Sequence, residues 1–256
     1  MAKQRVPSVR PPSAARRPSP DERPNNRLLA ALPLEDFRRI RPDLQTIPLT
    51  AKQVLLKRGD PIQHVYFPNG SVCSVTAMMK NGSAVEVATV GDEGMVGITA
   101  YLGGNAMPGE SMVQVPHPHA ERMTAERMSV DALRRELDRR GALYDRVSRY
   151  SQGTIALMMQ STACMALHTV QERCCRWLLM THDRIRTDAF TLSHDFLAMM
   201  LGSTRPTVTS VARALQQAGL IRYTHARMTI IDRSGLEAAS CECYATIKTE
   251  FDRLGL

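Results

Sequence analysis

His194–Arg213 reads HDFLAMMLGSTRPTVTSVAR, and four of its positions set the reading. The fifth, Ala198, is small, as the crossing of two helices requires. The ninth, Gly202, tolerates the left-handed backbone of a tight turn. The fifteenth and eighteenth, Val208 and Val211, are apolar and would seat the second helix on the first, with Leu197 and Leu201 completing the seam. The pattern is that of a helix-turn-helix. Ser203 or Thr204 can cap the second helix, and Pro206 falls in its first turn, where a missing backbone N–H costs little. The apolar stripe Val208, Val211, Ala212 and Leu215 faces inward and leaves Arg205, Thr207, Thr209, Ser210 and Arg213 outside. Gly219 ends the helix, and IRYTHARMTII (221–231) reads as a two-stranded hairpin, a wing.

No acidic residue occurs between Phe196 and Ile231, whereas Arg205, Arg213, Arg222 and Arg227 all do. Such a surface suits a phosphate backbone, because each neutralised phosphate releases counterions. The N-terminal end of the second helix would enter the major groove of double-stranded DNA. Arg205 is the candidate base reader, since a guanidinium bonds guanine bidentately. Ser193, Thr204, Thr207, Arg213 and His225 are expected on phosphates, fixing register. Thr209, Ser210 and Arg227 complete the expected DNA-binding set. The alternative is a plain helical hairpin with a solvated face.

Upstream, Ala142 to His168 reads as one long helix. Leu143, Val147, Tyr150, Thr154, Leu157, Ser161, Cys164 and His168 follow heptad spacing. A second face holds Ile155, Met158 and Met165, interrupted by Thr162. A helix apolar on two sides must cover two things: the β-rich half of its own chain and the same helix of a second copy. A homodimer follows, with a buried helix in a monomer as the alternative. Another helix, VQERCCRWLLMTHDR from Val170, leads to a break around residues 187–189.

Between Thr46 and about Val115 short β-rich runs alternate with turn signals, and Asn-Gly pairs at 69–70 and 81–82 mark tight reversals. Val85, Val87 and Thr89 alternate with Glu86 and Ala88. Six to eight short strands argue for a sandwich or a rolled barrel. Before them, residues 26–40 suggest one or two short amphipathic helices; after them, Ser129 offers a cap for VDALRREL. The fold class is therefore α+β. A disordered basic tail (1–26) precedes a β-roll domain (27–141), a dimerisation helix (142–168) and a winged helix-turn-helix (169–256).

The chain has 256 residues and a formal net charge of +8. Much of the excess lies in residues 1–27, where Lys3, Arg5, Arg10, Arg16, Arg17, Arg23 and Arg27 face only Asp21 and Glu22. That Pro-, Ser- and Arg-rich tail lacks the apolar surface to fold and could touch nucleic acid nonspecifically. No apolar run is long enough for a transmembrane helix, and no secretory segment is evident. A cytoplasmic protein without membrane contact is expected, its six cysteines reduced.

Residues 192–221 (LSHDFLAMMLGSTRPTVTSVARALQQAGLI) and 55–72 (LLKRGDPIQHVYFPNGSV) resemble the Crp/Fnr family of bacterial transcription regulators. The resemblance runs from about Leu28 to Leu254. It implies a cyclic-nucleotide-binding-like β-roll that takes a small-molecule effector, a homodimer on a palindromic operator, and contacts with RNA polymerase. Departures from the family pattern narrow the expectation. In the loop GDEGMVGITAYLGGNAMPGESMVQV (91–115), Ile98 falls near the place of a phosphate-binding glutamate and Glu110 near that of an arginine. Met158 and Met159 replace the polar pair that meets the purine. A carboxylate facing a phosphodiester repels it, so the effector is not expected to be cAMP. Of the residues that read bases in the cAMP receptor protein only Arg205 is kept, with Pro206 and Ser210 replacing the others. Met95, Ile98 and Met158 would line an apolar pocket or fill the core.

The cysteines do not match the N-terminal iron–sulfur cluster of oxygen-sensing relatives, because the first is Cys73. Cys174 and Cys175 point apart on a helix. Cys241-x-Cys243 has no second pair and so lacks a zinc framework. These read as packing residues, with redox sensing as the alternative, and no metal or cofactor is expected. A metal-dependent enzyme would need more than His117-x-His119, where Glu121 is too close and Pro116 and Pro118 make the segment read as a surface loop. Serine-hydrolase, phosphate-loop and HExxH motifs are missing from the sequence. The chain reads as a regulator, not an enzyme. A signalling β-roll with a non-functional DNA-binding half is the other reading.

Overall fold

The computed structural model describes residues 23–115 and 123–256. The tail up to residue 22 and the His117–Glu121 segment lie outside the described residues. Asn26, read as the end of the tail, is instead fully buried. It caps α1 (Arg27–Ala30), its Oδ1 accepting from Leu29 N, while its Nδ2 donates to Pro68 O and Gly94 O at 3.2 and 2.9 Å. A buried amide satisfied on both ends is a strong anchor. α2 (Leu34–Ile40) follows, burying Phe37 and Ile40.

Among the described residues seven strands form the β-roll in two antiparallel sheets. One has the order β1 (Gln45–Pro48), β7 (Thr124–Ser129), β3 (His64–Asn69). The other has the order β2 (Val54–Leu56), β6 (Glu110–Val115), β4 (Val72–Met78), β5 (Ala84–Val90). Val65, Phe67, Val113, Val115 and Ala125 fill the space between them, completely buried. The two Asn-Gly reversals differ. Residues 79–83 make a true hairpin: Gly82 N donates to Met79 O at 3.1 Å, and Gly82 takes a positive φ of 84°. At Asn69-Gly70 the chain turns a corner from one sheet into the other, with Gly70 at φ 63°.

The expected alternation along β5 is broken by a bulge. Val75 pairs with Ala88 and Thr76 with Glu86, leaving Val87 unpaired. Ala88, Thr89 and Val90 are buried in succession because helices cover the far face of this sheet.

Ser129 Oγ accepts from Ala132 N and starts α3 (Val130–Leu137). α4 (Ala142–Leu167) then runs for 26 residues. Its heptad positions from Leu143 to Cys164 are buried within the single chain, against the β-roll and α9 (Cys243–Arg253). Gly153 permits this approach, since a Cβ there would lie 3.3–3.4 Å from Leu254, Phe251 and Leu256. Ile155, Met159 and Leu167 stay exposed. The heptad face therefore packs intramolecularly, and the face left over is the one displaced from it.

α5 (Val170–Ile185) begins with a capping box between Thr169 and Glu172. β8 (Ala189–Thr191), α6 (His194–Met200), α7 (Arg205–Gln217), β9 (Ile221–Thr224) and β10 (Arg227–Ile230) follow, then α8 (Arg233–Ala238) and α9. The wing is three-stranded, in the order β8-β10-β9, because β8, which starts where the stretch read as a break ends, pairs with β10. Among the described residues no helix is long and apolar enough to cross a membrane.

The two halves touch directly. Trp177 Nε1 donates to Glu86 Oε1 at 2.9 Å, and Ser74 Oγ donates to the other carboxylate oxygen. At the turn GDEG (91–94), Glu93 accepts from Arg184 Nε at 2.9 Å and Asp92 from Arg186 Nη2 at 2.7 Å. The glycines of that turn make room: a Cβ on Gly94 would reach the Tyr150 ring at 2.5 Å, and one on Gly91 the Arg184 stem at 2.7 Å.

Candidate nucleic-acid interface

The helix pair forms as the spacing requires. Leu197, Ala198, Leu201 and Val208 are buried at the crossing, and Ala212 and Leu215 continue the seam, with Val211 half-buried beside it. Gly202 takes φ 55°, the conformation for which a residue without Cβ was expected. Thr204 is the α7 cap: its Oγ1 accepts from Thr207 N and lies 2.9 Å from Thr207 Oγ1. Ser193 caps α6 by accepting from Phe196 N. Both hydroxyls are thus partly engaged in holding up the N-terminal N–H groups that would face a phosphate.

Arg205, Thr207, Ser210 and Arg213 are exposed on one side of α7, and His225, Arg222 and Arg227 are exposed on the wing. His225 and Ala226 form the wing tip with positive φ at both residues, 50° and 61°, the mark of a two-residue hairpin turn. Arg213, Arg222 and Arg227 make no ion pair among the described residues.

Two expectations change. Thr209 is half-buried rather than outward: its hydroxyl donates to Arg205 O and lies 2.9 Å from His194 Nδ1. His194 in turn stacks on Tyr223 of the wing, with ring centroids 4.2 Å apart, and Tyr223 OH donates to Leu192 O. Burial, helped by the charge of Arg205, holds the His194 pKa down, so the neutral ring is favoured. Thr209, His194 and Tyr223 therefore lock the wing to the helix pair. Sequence reasoning missed His194 and Tyr223, because their partners, Thr209 on α7 and Leu192 ahead of α6, meet them only once the wing folds back on the helix pair. The second change concerns charge. The acid-free stretch starts at Phe196, but Asp195, one residue earlier, lies 3.5 Å from Arg205 Nη1. α6 and α7 bring their N-termini together, so the candidate base reader has an intramolecular partner.

In the β-roll, Met95 is core, and Ile98 and Met158 pack half-buried against it. Glu110 is half-buried on β6. The cysteines are free and buried. The expectation that Cys241-x-Cys243 has no second pair fails: Cys164 and His168, one turn apart at the end of α4, lie against it. The pairing was hidden because the two halves are some 75 residues apart, and the helical half was read as part of a heptad.

Residues 172–239 match the model of the Crp-like helix-turn-helix domain. No curated protein sequence matches the chain. Among solved structures, FixK2 from Bradyrhizobium japonicum superposes with a TM-score of 0.65 at 13% identity, covering 77% of this chain and 98% of that one. A transcriptional regulator of the Crp/Fnr family from Eubacterium rectale gives 0.62 at 16%, over 84% and 98%. The c-di-GMP-responsive global regulator CLP of Xanthomonas campestris gives 0.62 at 15%, over 77% and 99%. At such identities the likeness is one of fold. Residues 172–239 belong to the Crp-like helix-turn-helix domains, and the chain as a whole has the fold of the Crp/Fnr transcription regulators.

Proposed function

We propose that this chain is a sequence-specific, non-enzymatic transcription regulator that grips double-stranded DNA through α7 and the wing. The observation that carries the reading is the joint surface of Arg205, Thr207, Ser210, Arg213, His225 and Arg227, exposed together on a rigid helix pair. Arg205 reads a base after exchanging Asp195 for guanine. Ser193, Thr204, Thr207, Arg213 and His225 meet phosphates, and Ser210 and Arg227 flank them. Thr209 acts at one remove, by holding His194.

The chain acts as a homodimer joined along the exposed strip of α4. Ile155, Met159 and Leu167 are large, apolar and uncovered in the single chain, and the same patch on a second copy would meet it by two-fold symmetry. A palindromic operator follows, with half-sites about one helical turn apart. The β-roll is the regulatory half, taking a small effector other than cAMP, and RNA polymerase is the downstream partner in the cytoplasm of a bacterium. Selection from random duplexes followed by gel shift tests the reading. Arg205→Ala is expected to cost about 1–3 kcal/mol on the selected site and to relax its sequence preference. Selection that yields no sequence preference, or an Arg205→Ala variant that binds like the parent, sinks it.

A further inference from the structure

The geometry points to a metal site that binds one thiophilic divalent ion, zinc by ligand type, between Cys164, His168, Cys241 and Cys243. The Sγ atoms and one ring nitrogen all lie within 4.8 Å of one another. Cys164 Sγ is 3.5 Å from Cys241 Sγ, and Cys243 Sγ is 3.5 Å from His168 Nδ1. A tetrahedral ion with metal–sulfur bonds of about 2.3 Å and a metal–nitrogen bond of about 2.0–2.1 Å sets ligand atoms roughly 3.6–3.8 Å apart. The cluster is thus already near the spacing a single ion needs, and too compact for a polynuclear cluster.

Three further features suit that ion. The outer nitrogen of His168, Nε2, lies 3.1 Å from Glu242 Oε2, the carboxylate–imidazole arrangement that turns the other nitrogen toward a metal. Gln160 Nε2 donates to Cys243 Sγ at 3.1 Å, a bond a thiolate accepts better than a thiol. Arg173 and Arg176 are buried on the facing helix α5 without an ion pair among the described residues, and the Nε of each has no hydrogen-bond partner there. Three thiolates, a neutral imidazole and a divalent ion leave one net negative charge, which opposes those buried cations.

The thiolate, not the thiol, is the form of cysteine that binds a metal. Binding therefore replaces three S–H bonds by three metal–sulfur bonds and releases three protons to solvent, so affinity rises with pH. Cys164 and His168 close the C-terminal end of α4, while Cys241 and Cys243 open α9. The ion would pin one helix to the other just before the turn into α5.

The test is titration of the reduced, untagged full-length protein with Co(II), followed by displacement with Zn(II). The expected result is one Co(II) per chain, with thiolate-to-cobalt charge transfer and the visible bands of tetrahedral Co(II), both lost to Zn(II). Cys243→Ser is expected to weaken binding by more than the roughly 10–100-fold that loss of an outer-shell partner costs, and Cys174→Ser to leave it unchanged. His168→Cys keeps four ligands, so it should still bind with stronger charge transfer; it guards against variants that merely unfold. A spectrum without tetrahedral bands, or bands that survive in both Cys164→Ser and Cys243→Ser, overturns the assignment. So does a Cys164–Cys241 disulfide that forms in air at saturating Zn(II).

Discussion

Arg205 and Asp195 face each other at 3.5 Å, both about two-thirds exposed, so their attraction is worth little in water. Beside a phosphate backbone Asp195 becomes a like charge in the wrong place. Asp195→Asn is expected to tighten DNA binding several-fold, about 0.5–1 kcal/mol, with fluorescence anisotropy at two salt concentrations as the check; weaker binding would show that Asp195 instead positions Arg205. Glu86 is the other residue with a readable consequence. Burial pushes its pKa from 4.5 up to about 7, against the pull of Ser74, Trp177 and the charges of Arg176 and Arg184. The folded chain holds a proton there that the unfolded chain has released, so stability is greatest below the unfolded value and declines as pH rises toward 7. Glu86→Gln removes that decline and is expected to stabilise the protein by on the order of 2–3 kcal/mol at pH 8. Urea titrations followed by Trp177, the sole tryptophan, test this at pH 5 and pH 8. At this scale Ala198, Gly202 and Val208 were legible from sequence, because the crossing of adjacent helices is a local matter. Asp195 beside Arg205 was not, since residues ten apart meet only once the turn closes.

Among the elements, the helix-turn-helix, its caps and the long α4 emerge from periodicity and capping residues alone. What α4 packs against does not. Heptad spacing identifies an apolar stripe without naming its partner, and here Leu143, Val147, Tyr150 and Leu157 face the chain's own β-roll and α9. The proposed dimer seam is therefore the neighbouring strip. Met159→Glu is expected to shift the protein toward monomer in light scattering and to weaken operator binding, while leaving thermal unfolding of the monomer within about 0.5 kcal/mol, as for a surface change. Leu157→Glu, on the buried stripe, should unfold the chain instead. A dimer unaffected by Met159→Glu would move the interface elsewhere. β8 escaped notice for a different reason: three residues carry too little alternation to announce a strand, and only pairing with β10 makes them one.

For the whole molecule, the question is what holds the DNA-binding half against the β-roll. Arg184 and Glu93 are both buried, with side-chain exposures of 9% and 3%, at a turn whose glycines admit the arginine stem. Removing one member strands a buried charge, so Arg184→Met is expected to cost about 3–5 kcal/mol, and the double change with Glu93→Gln should recover most of it. Chemical denaturation of the single and double variants decides; a double variant as weak as the single would mean that packing, not charge, holds the turn.

Only His168 and Thr169 separate α4 from α5, a link so short that in the proposed dimer the rod and the helix-turn-helix half would act as a bracket. Such a bracket measures length as well as sequence. Inserting about five base pairs between operator half-sites, half a turn of duplex, would carry the second site round to the far side of the DNA, where neither arm of the pair could follow.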